Sequence, residues 1–322
     1  MNEPYRRAGG PAPTTRQERH GAWLARYGLV PDADAELYRS YALPALIELA
    51  YPGAPEAELD LLTDILGWYT ILDDHFDGPA GRDLRVARTL FRRFEDIVNG
   101  HGSGGRWFAM PPAPWANGIS AAWTDLCLRQ SQGRGLVWNR RSARDWRDCL
   151  YTFVAETVHR SRGSVPSVVE VLMLRRHGSA VFPFLDLLER VRDAEAPSDL
   201  RVHGQWHRLR MYTAEAIALI NDLFSLAREE RRKSVFNTVL VLQEEHGVTR
   251  ERAVEIVAER VRLLRQECEV LRTALVAEFP QCREYLESTR TLVEAVETWT
   301  RTTGRYNGPN SQFPGVSVAS LV

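Results

Sequence analysis

Residues 216–229 read Ala216-Ile217-Ala218-Leu219-Ile220-Asn221-Asp222-Leu223-Phe224-Ser225-Leu226-Ala227-Arg228-Glu229. Apolar residues recur here at helical spacing, and the period predicts one long helix over about 203–231. Asn221, Ser225 and Glu229 stand at i, i+4 and i+8 and so form one stripe along it. Asn and Ser compete for backbone hydrogen bonds and are poor helix-interior residues, so a stripe using both asks for a reason other than helix stability. An amide oxygen, a hydroxyl and a carboxylate from two turns of helix make a chelate for one hard cation. The plainer reading is a solvated polar face, and the apolar run 216–220 argues against it.

Working toward the N-terminus, a second acidic group ends another apolar helix. Leu59, Leu62, Ile65 and Leu66 lead into Ile71-Leu72-Asp73-Asp74-His75-Phe76-Asp77, and Pro79 with Gly81 breaks the pattern. At about 100° per residue, Asp73 and Asp77 share a face one turn apart. Asp74 points away from them and reads as a salt-bridging residue behind the ligands. Stacked carboxylates repel unless a cation or water lies between them. Hard oxygens of this kind suit Mg²⁺, which is commonly held by one or two carboxylates together with substrate phosphate. A solvated acidic helix end is the alternative, although it opposes the helix macrodipole.

The remaining chain repeats the helical period with little alternation of the strand kind. Helices are expected near 82–98, 118–131, 142–161, 167–193, 235–246, 249–278 and 280–303. The helix over 167–193 is interrupted by Gly178 and Pro183. The segment 99–118 holds glycine and proline clusters and reads as a loop. Residues 1–20 read as a flexible arm and 307–322 as a tail, leaving one domain over 21–306. The fold class is therefore all-α, a single-domain helical bundle.

Composition narrows the function classes. The 322 residues include 44% hydrophobic ones and carry a formal net charge of −1, which gives no reason to expect nucleic acid or an anionic membrane as partner. Lys233 is the only lysine among 41 basic residues, so an arginine has to be argued from its position rather than its abundance. Cys127, Cys149, Cys268 and Cys282 lack metal-ligand spacing and suit buried thiols in a reducing compartment. No apolar run is long enough for a transmembrane helix, and a cytoplasmic enzyme is expected. No catalytic triad, P-loop or nucleotide fingerprint competes.

Taken together, Asp73-Asp74-His75-Phe76-Asp77 resembles the DDxxD motif, and Asn221 to Glu229 the NDxxSxxxE motif, of bacterial class I terpene synthases. The resemblance covers roughly 25–306 and implies a helical bundle around a central apolar cavity. It implies Mg²⁺ held by Asp73, Asp77, Asn221, Ser225 and Glu229, three ions with diphosphate bound, and cyclisation of a linear prenyl diphosphate. Farnesyl diphosphate is favoured on family frequency and geranylgeranyl diphosphate follows. The segment Glu170 to Arg176 is similar to the one carrying the family's diphosphate-sensing arginine, which matches Arg175. Trp299 to Tyr306 resembles the family's WxxxTxRY ending, so Arg305 and Tyr306 are expected on the diphosphate. Arg228 stands where the family usually has Lys or Arg facing phosphate.

Gly178 and Ser179 match the helix break that couples diphosphate binding to ionisation. Carbocations call for aromatic faces in a dry cavity; Tyr69, Phe76, Phe153 and Trp299 are the candidates. Gly78, Ala295 with Val296, and Glu230 to Ser234 depart from the family pattern. A head-to-tail prenyltransferase would carry a second aspartate-rich motif instead of Asn/Ser/Glu. A non-catalytic prenyl-lipid binder would not need that stripe. A homodimer is compatible with all three readings.

Overall fold

The computed structural model describes residues 15–100 and 115–307. The first part of the expected arm, most of the loop expected at 99–118, and the tail from 308 onward lie outside the described residues. Within the described residues the secondary structure is entirely helical. The helices are α1 (Arg16–Tyr27), α2 (Ala35–Ser40), α3 (Leu43–Ala50), α4 (Glu56–Phe76), α5 (Leu84–Val98), α6 (Ala116–Ser131), α7 (Leu136–Arg162) and α8 (Val168–Gly178). They continue as α9 (Val181–Val191), α10 (Ser198–Val202), α11 (Gly204–Arg232), α12 (Thr238–His246), α13 (Arg250–Glu278), α14 (Arg283–Thr302) and α15 (Gly304–Asn307). No helix among them is long and apolar enough to cross a membrane.

One boundary corrects the sequence reading. Residues 15–20, assigned there to the flexible arm, are the cap and first turn of α1. Thr15 and Glu18 form a reciprocal capping box. Arg16 is buried and reaches Glu48 at 3.2 Å, Glu56 at 3.1 Å and Asp60 at 3.2 Å. Polar composition suggested an arm, but the arginines of this turn are paired to acids from α3 and α4.

The core begins on α4. Leu62, Ile65, Trp68 and Leu72 recur at helical spacing and are fully buried. Trp68 stacks on Trp123 of α6 at 4.2 Å and meets Trp146 of α7 edge-on at 6.1 Å. Its Nε1 donates to the Ile119 carbonyl at 2.9 Å. Losing a buried tryptophan of this kind costs about 3–5 kcal/mol. The three indoles lock α4 against α6 and α7 and thereby fix where Asp73 and Asp77 emerge.

The segment expected as one interrupted helix over 167–193 is two helices, with the turn between them at Ser179 and Ala180. The left-handed residue is Ala180, φ 58°, not Gly178. Pro183 sits in the first turn of α9, where its missing N–H breaks no helical bond. Gly178 is needed for another reason: a Cβ there would lie 2.8 Å from the Thr152 hydroxyl of α7.

Candidate active site and metal centre

A cavity opens between α3, α4, α7, α9, α11 and α14, apolar below and ionic at its rim. On one side of the rim, at the end of α4, Asp73, Asp74 and Asp77 each bring a carboxylate oxygen within 4.8 Å of the others. Helical arithmetic alone set Asp74 apart, and it does pair with arginines. Its carboxylate nevertheless curls back to the other two.

Three arginines neutralise this cluster. Arg305 donates to Asp74 at 2.8 Å and to Asp73 at 3.0 Å, with its guanidinium 5.1 Å from the centre of the Tyr41 ring. Arg228 reaches Asp74 at 2.5 Å and Asp77 at 3.4 Å, and Arg232 also holds Asp77. Desolvation, then the Asp77 carboxylate, pushes the Asp73 carboxyl up to about 7 against the pull of Arg305. The 36% of its side chain still exposed to solvent moderates that shift. For Asp74 burial works upward, but Arg305 and Arg228 outweigh it and hold the carboxyl below the ordinary range.

Across the rim stands the stripe of α11. Arg175 of α8 donates to Asn221 Oδ1 at 2.6 Å and pairs with Asp222 at 2.7 Å. Asn221 Nδ2 donates to the Tyr306 hydroxyl at 2.7 Å, and the Ser225 hydroxyl donates to Glu229 at 2.7 Å. Burial works against the Arg175 charge, yet Asp222, Glu229 and Glu156 hold its pKa above the ordinary range. Burial also raises Glu229, opposed by Arg175. Asn221, Arg228, Glu229, Arg305 and Tyr306 border the cavity, while Ser225 is 1% exposed and reaches it through Glu229.

At the helix break, Gly178 and Ser179 line the cavity, and the Gly178 carbonyl accepts from the Tyr69 hydroxyl. Among the expected aromatics, Tyr69, Phe153 and Trp299 line it as well. Phe76 does not. It is 2% exposed and lies behind Phe153, stacked at 4.6 Å, because its position on α4 turns it toward α7. Phe184 and Phe236 line the cavity in its place.

Sequence reasoning also missed Glu156 and Arg160 of α7, an i,i+4 pair at 2.9 Å on the same face as Phe153. Arg160 donates to the Phe76 carbonyl at 3.3 Å, and burial raises the Glu156 carboxyl. The helical spacing Phe153, Glu156, Arg160 was the available signal.

The donor set fits metal ions with an anion between them. Every candidate ligand offers a hard oxygen, as Mg²⁺ prefers. Arg175 and Ser179 line the cavity, and Arg175 Nε and the Ser179 hydroxyl are buried there without a hydrogen-bond partner.

The same arrangement of helices occurs in known proteins. Residues 64–267 match the family model described as terpene synthase family 2, C-terminal metal binding. The chain is 30% identical over 300 residues to pentalenene synthase of Streptomyces avermitilis, covering 89% of this chain and 86% of that protein. It is 32% identical over 254 residues to the farnesyl diphosphate-cyclizing (−)-β-caryophyllene synthase of Saccharothrix espanaensis, covering 78% and 69% respectively. Its fold superposes with a TM-score of 0.79 on linalool/nerolidol synthase of Streptomyces clavuligerus in complex with 2-fluorogeranyl diphosphate, at 24% identity, covering 89% of this chain and 97% of that one.

Proposed function

The chain belongs to terpene synthase family 2, the bacterial class I terpene synthases, and from that premise we propose that it ionises farnesyl diphosphate with Mg²⁺ and cyclises the cation to a sesquiterpene. Asp73 and Asp77, with Asp74 in reach, would hold metal on one side of the rim, and Asn221, Ser225 and Glu229 on the other. The two sets, together with diphosphate, would hold three ions in total. When bound, the metal neutralises negative charge that builds on the diphosphate as the carbon–oxygen bond breaks.

The side chains divide the remaining work. Arg175, Arg228 and Arg305 offer guanidinium forks, and Tyr306 a hydroxyl, to the diphosphate that departs with the bonding electron pair. Tyr69, Phe153 and Trp299 present ring faces to the allyl cation and its cyclised successors. The apolar wall below excludes water until a proton is lost or one water is captured. Gly178 and Ser179 bring the end of α8 into the cavity wall, where it would face the substrate, with Tyr69 holding the Gly178 carbonyl.

The observation that carries this reading is two oxygen-rich groups and three arginines rimming one apolar, aromatic cavity. A head-to-tail prenyltransferase is disfavoured by the Asn/Ser/Glu stripe, and a lipid carrier by the ionic rim. Incubation with Mg²⁺ and geranyl, farnesyl or geranylgeranyl diphosphate, read by gas chromatography, should yield a terpene from farnesyl diphosphate. Asn221→Leu should lower turnover at least 100-fold with the fold intact. Silence of the folded wild type with all three substrates would remove the reading, and elongated diphosphates on adding isopentenyl diphosphate would favour the prenyltransferase.

A further inference from the structure

The cavity has a floor as well as a rim, and α4 and α14 agree on the distance between them. On α4 the lining runs from Asp73 down to Leu66, and on α14 from Trp299 down to Leu292. Each is seven residues of helix, about 10 Å. On α9 it runs from Ala180 at the break to Phe184. α3 starts beside the rim, where the Tyr41 carbonyl accepts from Trp299 Nε1 at 2.8 Å, and leads away from it to Tyr51. At the bottom the Tyr51 hydroxyl donates to the Phe184 carbonyl at 2.8 Å, and the ring is 2% exposed.

What lies beneath is ionic rather than hydrocarbon. Arg210 of α11 pairs with Asp145 at 2.7 Å and Asp186 at 3.0 Å and reaches the Phe182 carbonyl at 3.3 Å. Arg141 pairs with Asp186 at 3.0 Å and with Glu189 at 2.6 Å. This buried layer fixes α9, and with it the backbone group that holds the Tyr51 hydroxyl. A hydrocarbon tail pushed past Tyr51 would meet buried charges that already have partners, a poor environment for it. The floor is therefore a hard stop.

We infer that Tyr51, closing the cavity with Phe184, sets the chain length: the site takes a three-isoprenoid (C15) diphosphate and excludes a four-isoprenoid (C20) one. The inference rests on the prenyl diphosphate reading above. A depth of about 10 Å accommodates a C15 chain that folds back on itself, which is the shape ring closure requires. A fourth isoprene unit would have to displace the Tyr51 ring. Ala50, whose small side chain also lines the cavity, marks the complementary position where bulk would raise the floor.

The test compares kcat/KM for geranyl, farnesyl and geranylgeranyl diphosphates in wild type, Tyr51→Ala, Tyr51→Phe, Phe184→Ala and Ala50→Phe, each first checked for folding by circular dichroism. Wild type should prefer C15 over C20 by at least tenfold. Tyr51→Ala or Phe184→Ala should shift that ratio toward C20 by at least tenfold. Tyr51→Phe, which keeps the ring, should retain the preference, and Ala50→Phe should move it toward C10. Equal use of C15 and C20 by wild type, or unchanged ratios in folded Tyr51→Ala and Phe184→Ala, overturns the inference. If no substrate is consumed at all, the catalytic reading fails separately. The floor is then judged by thermal protection from farnesyl and geranylgeranyl thiolodiphosphates with Mg²⁺. Stronger protection of wild type by the C15 compound, lost in Tyr51→Ala, supports it; equal protection by both refutes it.

Discussion

At Gly178 the constraint is steric. The end of α8 comes so close to α7 that an added methyl would sit 2.8 Å from Thr152 Oγ1, and Thr152 is buried with its hydroxyl already donated to the Cys149 carbonyl at 2.7 Å. Gly178→Ala should therefore destabilise by about 1–3 kcal/mol, the usual cost of overpacking. Adding Thr152→Ala should recover part of that loss. Urea unfolding of the single and double variants measures the coupling, and strictly additive effects would show that the contact is not the cause. The sequence identified Gly178 as a break but not this contact, because a glycine's neighbours across a helix pair are not encoded in local spacing. Phe76 was misplaced for a related reason, and Asp74, rightly read as salt-bridging, lies nearer Asp73 and Asp77 than its helical angle suggests. Counting angles on an isolated α4 ignores Arg228 and Arg305, which draw Asp74 inward, and Phe153, which covers Phe76.

Among the elements, α9 is the one held by buried charge. Asp186 on it faces Arg141 and Asp145 of α7, Arg210 of α11, Glu189 of α9 itself, Tyr285 of α14 and Tyr51 at the end of α3. Asp145, Asp186 and Glu189 share Arg141 and Arg210 there, and the exposed Arg144 also reaches Asp145 at 3.0 Å. Desolvation raises the Asp186 carboxyl from the ordinary 3.8 to about 7, with Arg210 opposing and Asp145 adding. The native state then binds more protons than the unfolded chain between these values. Asp186 thus makes stability decline as pH rises through that window, by at most about 1.4 kcal/mol per pH unit for one proton. Unfolding free energies of wild type and Asp186→Asn across pH 4.5–7.5 should show the wild-type decline reduced in the variant; parallel curves would refute it. Nothing in the sequence pointed to this layer. Helix identities were legible because periodicity is local, whereas Arg141, Asp145, Asp186 and Arg210 come together only through packing.

Over the whole molecule, the turn between α2 and α3 and the C-terminal end of the described chain meet at the rim. Both motifs could be read as spacing along the chain, whereas Arg305 and Tyr306 were expected at the site only through the family resemblance of the segment Trp299 to Tyr306. The sequence held no sign that the turn between α2 and α3 would serve the same site. The Tyr41 carbonyl accepts from Trp299 Nε1 and from the Thr303 hydroxyl, each at 2.8 Å. Ala42 turns the chain in a left-handed conformation at φ 52°. Gly304 lies where a Cβ would meet Ser40 Oγ at 2.5 Å. So gripped, α15 holds Arg305 over the Tyr41 ring, beside Asp73 and Asp74. A partly desolvated cation–π contact is worth about 0.5–2 kcal/mol, so Tyr41→Leu should weaken binding of inorganic diphosphate in the presence of Mg²⁺ by roughly 2- to 30-fold. Tyr41→Phe keeps the ring face and should bind as wild type does. Calorimetric titration gives the affinities, and thermal melting separates the contact from general damage: a ring that only supported the fold would lower the melting temperature of Tyr41→Leu and leave diphosphate affinity unchanged.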